Sequence, residues 1–471
     1  MSLQKSKFHF IGIGGIGMCG LAEVLANMGM EVTGSDLVEN ANTERLKKKN
    51  IKIYIGHHES HLGNGDSKSE MNSEMKSDSE VDVVVYSSAV SANNPEMKEA
   101  RARGIPVIPR AEALAEVMRS KRGIAIAGTH GKTTTTSMVS SIFLSANKNP
   151  TIVVGARFEK INSTALLGSG EWMIAEADES DGSFNKLTPE ISIITNIDSD
   201  HMDYYKTFEN LQKSFYDFAL KIPFYGINII YGDDQVTRTL FENFPKKIWY
   251  YGFSSQNDFW LQGEKGKYEI YYHNKKNSKH NLLGILELEI PGRHNALNAL
   301  ASLLVAYHCG LDLNQSLHAL KNYKGVDRRF QFKGEYNSIK VYDDYGHHPT
   351  EVRAVLEGIR EKFPENRIVT LFQPHRYSRT QSCWHEFLNC FYLTDVLILT
   401  DIYPAGEAPI PNISSKKLYD ELKLDKKYYL AKDVDYIVSL DQILKPGDIF
   451  LTLGAGDSWK IGMSLISAHT N

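Results

Sequence analysis

Cysteine is scarce: four (Cys19, Cys309, Cys383, Cys390) in 471 residues. So few thiols, with no CxxC spacing, exclude a disulfide framework and a thiolate zinc site. A cytoplasmic, reducing compartment is the expectation. Long apolar runs are missing too. Val81–Tyr86 and Asp395–Thr400 are among the longest, and a bilayer needs roughly 20 such residues. Lys5 and Lys7 before Phe8–Ile11 only faintly imitate a secretory leader. Five glycines between 12 and 20, then Glu23, interrupt the run, and no small-residue cleavage site follows. Charge of one sign is lacking as well. With 53 basic and 57 acidic side chains the net charge is −4, which excludes the basic field of a nucleic-acid or anionic-membrane binder. Hydrophobic residues at 42% and charged residues at 23% are globular averages, so a disordered or fibrous chain is excluded. No internal repeat is present.

What is there is a rhythm of short β-branched runs, turns and helical patterns, which argues an α/β architecture with largely parallel sheets. It begins at Lys7–Ile13 and recurs at Ile51–Ile55, Val81–Tyr86 and Pro106–Ile108. It restarts at Gly123–Ala127, with Ile152–Val154, Trp172–Ala175 and Ile191–Ile194 following. A third series runs through Ile339–Asp343, Ile368–Phe372, Val396–Thr400 and Ile449–Leu453. Restarts near Lys121-Arg122-Gly123 and Gly325-Val326-Asp327 divide the chain into three domains, 1–121, 122–325 and 326–471. Gly63–Glu80 breaks the rhythm. Five acids, two lysines and five serines without an apolar face read as a solvated loop between two strands.

Two glycine loops carry the chemistry. Gly12, Gly14 and Gly17 satisfy GxGxxG between a strand and a helix whose apolar face is Leu21, Val24, Leu25 and Met28. Asp36 follows 24 residues after the first glycine. Glycines admit a diphosphate to the backbone, the helix N-terminus supplies N–H groups, and the acid suits a ribose hydroxyl. The motif leaves the nucleotide open. A dehydrogenase would also need a hydride-transfer site, and nothing downstream supplies one. The second loop, Gly128-Thr129-His130-Gly131-Lys132-Thr133-Thr134, follows the strand Gly123–Ala127 and opens a helix with Val139, Ile142 and Phe143 inward. It reads as a P-loop: Lys132 toward the β/γ-phosphates, Thr133 toward Mg2+. Ile126 holds the first glycine position of GxxxxGK[ST], so the full motif is not met. The next two strands end in Glu176-Ala177-Asp178-Glu179-Ser180-Asp181 and in Asp198-Ser199-Asp200-His201. Two acid-rich turns at the strand ends suit a hard cation beside phosphates, so ATP and Mg2+ are the expected ligands.

With GTHGKTTTT, EADESD and TNIDSDHMDYY in place, five further motifs follow in order: PGRHNALNALAS (Pro291–Ser302), GVDRRFQ (Gly325–Gln331), YDDYGHHPTEV (Tyr342–Val352), FQPHRYSRT (Phe372–Thr380) and DIYPAGE (Asp401–Glu407). Together they resemble the Mur ligases, in the branch that joins L-alanine to UDP-N-acetylmuramate. The resemblance runs from about residue 8 to 457, with Gly63–Glu80 as an insertion. It implies a Rossmann-like N-terminal domain holding the UDP-sugar without a redox cofactor. A central P-loop ATPase-like domain and a Rossmann-like C-terminal domain for the amino acid would follow. It also implies the reaction. The lactyl carboxylate attacks the γ-phosphorus of ATP, and alanine's amine attacks the acyl phosphate. A tetrahedral intermediate then collapses to the amide, ADP and phosphate in peptidoglycan precursor synthesis. UDP-N-acetylmuramate and L-alanine are then the partners, with no nucleic acid or membrane span and a monomer or weak homodimer.

The resemblance also assigns residues. Gly14, Gly15, Ile16 and Gly17, with Ser35, Asp36, Ser87 and Ser88, would line the sugar nucleotide. Gly128, Thr129, His130, Gly131, Lys132, Thr133 and Thr134 would hold the ATP phosphates, and Lys132 would stabilise the transferring phosphoryl group. Thr133 and Glu176 match one metal site, Glu176 and His201 a second. His294, Asn295 and Asn298 would border adenine. Arg329 would clamp phosphate, with Arg328 as the alternative one register away. Asp344 would touch the ATP side of the cleft. His375, Arg376 and Arg379 would meet the amino acid, an arginine pairing with its carboxylate. His348, or else His375, would take the ammonium proton. Without the resemblance, His347-His348 would equally well cap the helix that starts at Pro349. Lys213 is out of register for the carbamylated lysine of sister ligases. A relative that attaches a preformed tripeptide tends toward EADEYD and lacks YSRTQ and YPAGE. Ser180, Tyr377–Gln381 and Tyr403–Glu407 therefore favour alanine.

Overall fold

The computed structural model describes residues 6–63, 81–87, 89–274 and 279–469. Nearly all of the acidic, serine-rich segment, residues 64–80, and also Ser88, lie outside the described residues.

The first sheet contains β1 (Lys7–Ile11), β2 (Glu31–Asp36), β3 (Lys52–Ile55), β4 (Val83–Tyr86) and β5 (Val107–Pro109), in the order β3-β2-β1-β4-β5. Every pairing is parallel. The order reverses between β1 and β4, and the first glycine loop leaves β1 at that point, where an open α/β sheet forms its crevice. The loop's helix, Ile16–Asn27, buries Leu21, Val24 and Leu25 as its periodicity requires.

The second sheet begins at β6 (Arg122–Ala127) and includes β7 (Thr151–Phe158), β8 (Ser163–Leu166), β9 (Trp172–Glu176), β10 (Ile191–Ile194) and β11 (Ile227–Tyr231). β12 (Ile248–Gly252), β13 (Phe259–Glu264), β14 (Lys267–Asn274) and β15 (Lys279–Glu287) extend one edge. The strands from β13 through β12, β11, β10, β6 and β9 to β7 pair in parallel, and β8 closes the other edge antiparallel. β6 is central, and the helix Lys132–Ser145 follows it with Val139, Ile142 and Phe143 buried.

The third sheet contains β16 (Gln331–Tyr336), β17 (Ile339–Asp344), β18 (Ile368–Phe372), β19 (Val396–Thr400), β20 (Lys427–Leu430) and β21 (Ile449–Leu453), in the order β16-β17-β21-β18-β19-β20. Only the β16–β17 edge is antiparallel. β18, β19 and β21 are buried throughout, as parallel strands covered on both faces must be.

The chain folds as two compact units. One holds the residues up to Leu261 with Ile270–Gly284 and Asn298–Leu320. The other holds Gln262–Glu269, Ile285–Leu297 and the chain from Lys321 onward. Within the first unit the glycine-loop helix lies against β7 and β8. A Cβ on Gly20 would meet Thr164 Oγ1 at 3.0 Å and Ala165 Cβ at 3.1 Å, so the bare glycine sets the closeness of the two elements. Arg45 Nη1 donates to Ser163 Oγ at 2.6 Å across the same seam. The four cysteines are free thiols. Among the described residues no helix is long and apolar enough to cross a membrane.

Candidate active site

The first glycine loop is braced from below. Gly14 N donates to Asp36 Oδ2 at 2.8 Å, and Asn42 Nδ2 donates to Gly14 O at 2.8 Å. A Cβ on Gly14 would lie 2.5 Å from Asn40 Nδ2, so a side chain is excluded there. Gly15 is the N-cap of Ile16–Asn27, and Gly131 that of Lys132–Ser145; among the described residues no side chain caps either helix. Both termini therefore present backbone N–H groups suited to an anion. Ser87, at the end of β4, sits against Gly12 and donates its N–H to Ile11 O at 3.2 Å. Ser35 corrects an expectation. It is fully buried, and its hydroxyl donates inward to Glu96 Oε2 at 2.7 Å, so it supports the loop from inside. Asp36, expected at a ribose, spends Oδ2 on the loop itself.

The P-loop lysine is folded into its own loop. Lys132 Nζ donates to Gly128 O at 2.6 Å, Thr129 O at 3.2 Å and Glu179 Oε1 at 2.8 Å, and lies 2.7 Å from Glu179 Oε2. Glu179 is wholly buried. Burial would lower the ammonium's proton affinity, but Glu179, Asp178 and Glu176 hold Lys132 above its ordinary value. Burial pushes the Glu179 carboxyl up to about 7 against the pull of Lys132. Asp178, opposed by its own burial, is held low by Lys132 and Arg110. Glu176, the last residue of β9, accepts from Gly155 N at 2.6 Å. His201 has a left-handed backbone (φ +58°) and its Nε2 lies 3.7 Å from Glu179 Oε1. His130 N donates to Asn196 Oδ1 at 2.9 Å, and its Nε2 is 3.0 Å from Asp198 Oδ2. Thr129 Oγ1 accepts from Asp198 N at 3.0 Å. Thr133 and Thr134 are buried in the first helical turn. A Cβ on Gly131 would meet Asn298 Oδ1 at 2.8 Å, which places Asn298 beside the loop. Glycine is required at Gly128, where φ is +132° and a Cβ would fall 2.0 Å from Thr195 Oγ1.

In the second unit the two candidate arginines separate. Arg328 is tied down by Asp343 Oδ2 at 3.1 Å, Gly456 O at 3.0 Å and Gly454 O at 2.6 Å. Arg329 lies over Tyr345 at 5.2 Å and 3.7 Å from Glu351. Asp344 and His348 both make local hydrogen bonds. Asp344 accepts Phe330 N and Gly346 N, each at 2.7 Å, so both oxygens shape backbone. Burial pushes its carboxyl up to about 6. His348 is the N-cap of Pro349–Lys362: its Nδ1 accepts from Thr350 N at 3.4 Å, and its Nε2 faces Cys383 Sγ at 3.5 Å. Both ring nitrogens are therefore engaged, which removes a free lone pair for proton transfer. His347 differs. Its Nδ1 lies 3.1 Å from Tyr345 O and must donate to it, which leaves Nε2 the lone pair. His375 Nδ1 faces Arg379 Nη1 at 3.4 Å, so its proton sits on Nε2. Burial lowers His347 to about 3, and burial with Arg379 lowers His375 to about 4, so both rings are neutral near pH 7. Arg376 begins the helix Tyr377–Ser382, and Arg379 is buried in it. His294 is held at about 4 by burial and Arg329, and Asn295 Nδ2 donates to Pro291 O at 2.7 Å. Lys213 is solvent-facing and pairs with Asp217 at 2.6 Å.

Two residues of the first unit escaped the sequence reading. Glu179 was one acid among four, and only its complete burial against Lys132 sets it apart. Arg110 lies over Gly17, within 3.3 Å of where a Cβ would be, and 3.7 Å from Asp178. It sits at the start of an ordinary helix with no motif around it.

Three family descriptions match the chain end to end: Mur ligase family, catalytic domain, over residues 7–122; Mur ligase middle domain over 126–306; and Mur ligase, glutamate ligase domain, over 328–456. A UDP-N-acetylmuramate–L-alanine ligase of Bdellovibrio bacteriovorus is 58% identical over 467 residues, 99% of this chain and 100% of that relative. One from Trichlorobacter lovleyi is 46% identical over 473 residues, 98% of each chain. Among solved structures, the UDP-N-acetylmuramate–alanine ligase of Thermotoga maritima superposes with a TM-score of 0.79 at 27% identity, covering 98% of both chains. A murein peptide ligase of Psychrobacter arcticus shares the fold, with a TM-score of 0.73 at 22% identity over 99% of both. On the matched domains and the full-length relatives, this α/β chain belongs to the Mur ligase family.

Proposed function

We propose that this chain is an ATP-dependent ligase joining L-alanine to the lactyl carboxylate of UDP-N-acetylmuramate in peptidoglycan precursor synthesis. The observation that carries the reading is the P-loop Lys132 paired with the buried Glu179 of the acid turn after β9, in a chain aligned over 99% of its length with a relative of that name. The division 1–121 for the UDP-sugar, 122–325 for ATP and 326–471 for the amino acid belongs to the same proposal. Each segment contains one of the three sheets. So does a cytoplasmic enzyme acting as a monomer or weak homodimer.

ATP phosphates would lie on Gly128–Thr134, where Lys132 would meet the γ-phosphoryl group and offset the charge that builds as the carboxylate attacks. Thr133, Glu176 and His201 offer a hydroxyl, a carboxylate and an imidazole beside that site, a donor set that suits Mg2+. When bound, the ion would offset the repulsion between carboxylate and phosphoryl oxygens. Arg329, over the Tyr345 ring, would be the phosphate clamp, while Arg328 is tied to Asp343 and to the carbonyls of Gly454 and Gly456. Arg376 or Arg379 would hold alanine's carboxylate. In this reading the proton acceptor would be His347 Nε2, the ring nitrogen opposite the Nδ1 that donates to Tyr345 O, in place of His348.

The test is phosphate release from ATP with UDP-N-acetylmuramate, adding L-alanine or a preformed tripeptide in parallel, with the product weighed by mass spectrometry. Release that needs the sugar nucleotide and alanine supports the reading. Release with the tripeptide alone would move the chain to the tripeptide branch. No release with either would remove the ligase assignment. Lys132→Ala should abolish turnover yet leave UDP-N-acetylmuramate binding within about twofold, because the two glycine loops end different sheets. Equal loss of both in a folded variant would break the assignment of ligands to loops.

A further inference from the structure

Under the first glycine loop lies a buried carboxylate that neither loop motif explains. Glu96, in the first turn of the helix Pro95–Ala102, is fully buried. Its Oε1 accepts from His61 Nδ1 at 2.7 Å and His9 Nε2 at 3.2 Å. Its Oε2 accepts from Ser35 Oγ at 2.7 Å and His57 Nδ1 at 2.8 Å. Four donors fill the four acceptor positions of one ionised carboxylate. They come from β1, from β2, from the turn after β3 and from the short helix Glu59–Leu62. The nitrogens stand at hydrogen-bond distance from its oxygens, so the cluster is a proton network, not a coordination shell.

One bond of this hub leads to the sugar-nucleotide loop. Ser35 O accepts from Gly12 N at 2.8 Å and from Ile13 N at 3.0 Å. The side chain of Ser35 is thus held by Glu96, and its backbone holds the turn from which the diphosphate loop departs. We propose, building on the ligase reading, that Glu96 is the positioning residue of the sugar-nucleotide site: it fixes Ser35, and through Ser35 the Gly12–Ile13 turn, in the geometry that receives the diphosphate.

The tautomers make the hub insensitive to proton uptake. His9 receives the Thr33 hydroxyl at Nδ1, 2.9 Å away, and so donates from Nε2. His57 and His61 donate from Nδ1, and that N–H is present in both the neutral ring and the imidazolium. The other ring groups facing the cluster are Tyr54, stacked on His61 at 4.2 Å, and His58, 6.1 Å from His61. Neither displaces a bond to Glu96. A glutamine at 96 would keep the shape and turn an N–H2 toward a donor. A neutral imidazole would then have to change tautomer, and protonating it would set N–H against N–H.

The experiment is calorimetric binding of UDP-N-acetylmuramate to the full chain, with ligase kinetics, from pH 6 to pH 8. For the wild type a Kd flat across this range is expected. Glu96→Gln should raise Kd and KM for the sugar nucleotide about tenfold, a buried bond's worth. Its kcat and its KM for ATP should stay within about twofold. Ser35→Ala cuts the link and keeps the carboxylate; it should raise Kd about threefold to tenfold. A folded Glu96→Gln protein with unchanged Kd would overturn the proposal, as would an equal decline in kcat and in ATP affinity. If that variant does not fold, Ser35→Ala decides, and an unchanged Kd overturns the proposal. Tight binding by a wild type that forms no amide would sink the ligase reading alone, and no binding at all would sink both.

Discussion

Glu96 shows at the scale of one residue how a buried charge becomes tolerable. Burial opposes its ionisation, yet the bonds from His9, Ser35 and His61 hold the carboxyl down to about 2, from an ordinary value of 4.5. A depressed carboxyl contributes stability that is complete above 4.5 and lost as pH falls from there to about 2. The shift corresponds to roughly 3 kcal/mol. Urea denaturation of wild type and Glu96→Gln at pH 7 and at pH 3 measures it. The gap between them should narrow at the lower pH, and a gap independent of pH would mean that packing, not charge, was lost. The sequence could not reveal this hub. His9, Ser35, His57, His61 and Glu96 span 87 residues between the outer two, and Asn-Pro-Glu reads only as a helix start. Glu179 was hidden for the same reason: an acid in a turn looks solvated until three dimensions bury it. Lys132, Glu176 and His201 were legible because a P-loop and strand-end acids are local patterns.

At the scale of elements, the glycine-loop helix owes its seat on β7 and β8 to Gly20. The site of a Cβ already lies 3.0 Å from Thr164 Oγ1 and 3.1 Å from Ala165 Cβ. Gly20→Val should therefore destabilise the protein by about 2 kcal/mol through overpacking, seen as a lowered Tm. An unchanged Tm would show that the seam yields freely. Parallel strands such as β6, β9, β10, β18, β19 and β21 were legible as apolar runs, since both faces are buried, whereas β11 to β15, β16 and β20 were not. Gln262-Gly263-Glu264-Lys265-Gly266-Lys267 is polar and glycine-containing, and only Tyr268 and Ile270 alternate with an acid, Glu269, beyond it. The edge β16, with Gly334 at its bulge, is half polar. Half-exposed strands at sheet edges resemble solvated turns in composition, and only pairing distinguishes them.

At the scale of the whole molecule, the proposed reaction handles two amines beside one acyl phosphate. Alanine's amine must lose a proton to attack; the amine of Lys132, proposed above to meet the same phosphoryl group, must not. The ion pair with Glu179, described above as a lysine folded into its own loop, keeps that ammonium protonated. Glu179→Gln would leave a desolvated amine with a lowered proton affinity. Incubated with ATP and UDP-N-acetylmuramate but no alanine, that variant should gain the mass of the whole sugar nucleotide less one water on Lys132, as phosphate leaves, while the wild type stays unmodified. An unmodified variant that still hydrolyses ATP would show that the pair has no such duty. On this view the buried acid beside the P-loop lysine is a guard against self-acylation: it keeps the enzyme from becoming the acceptor of the bond it makes for its substrate.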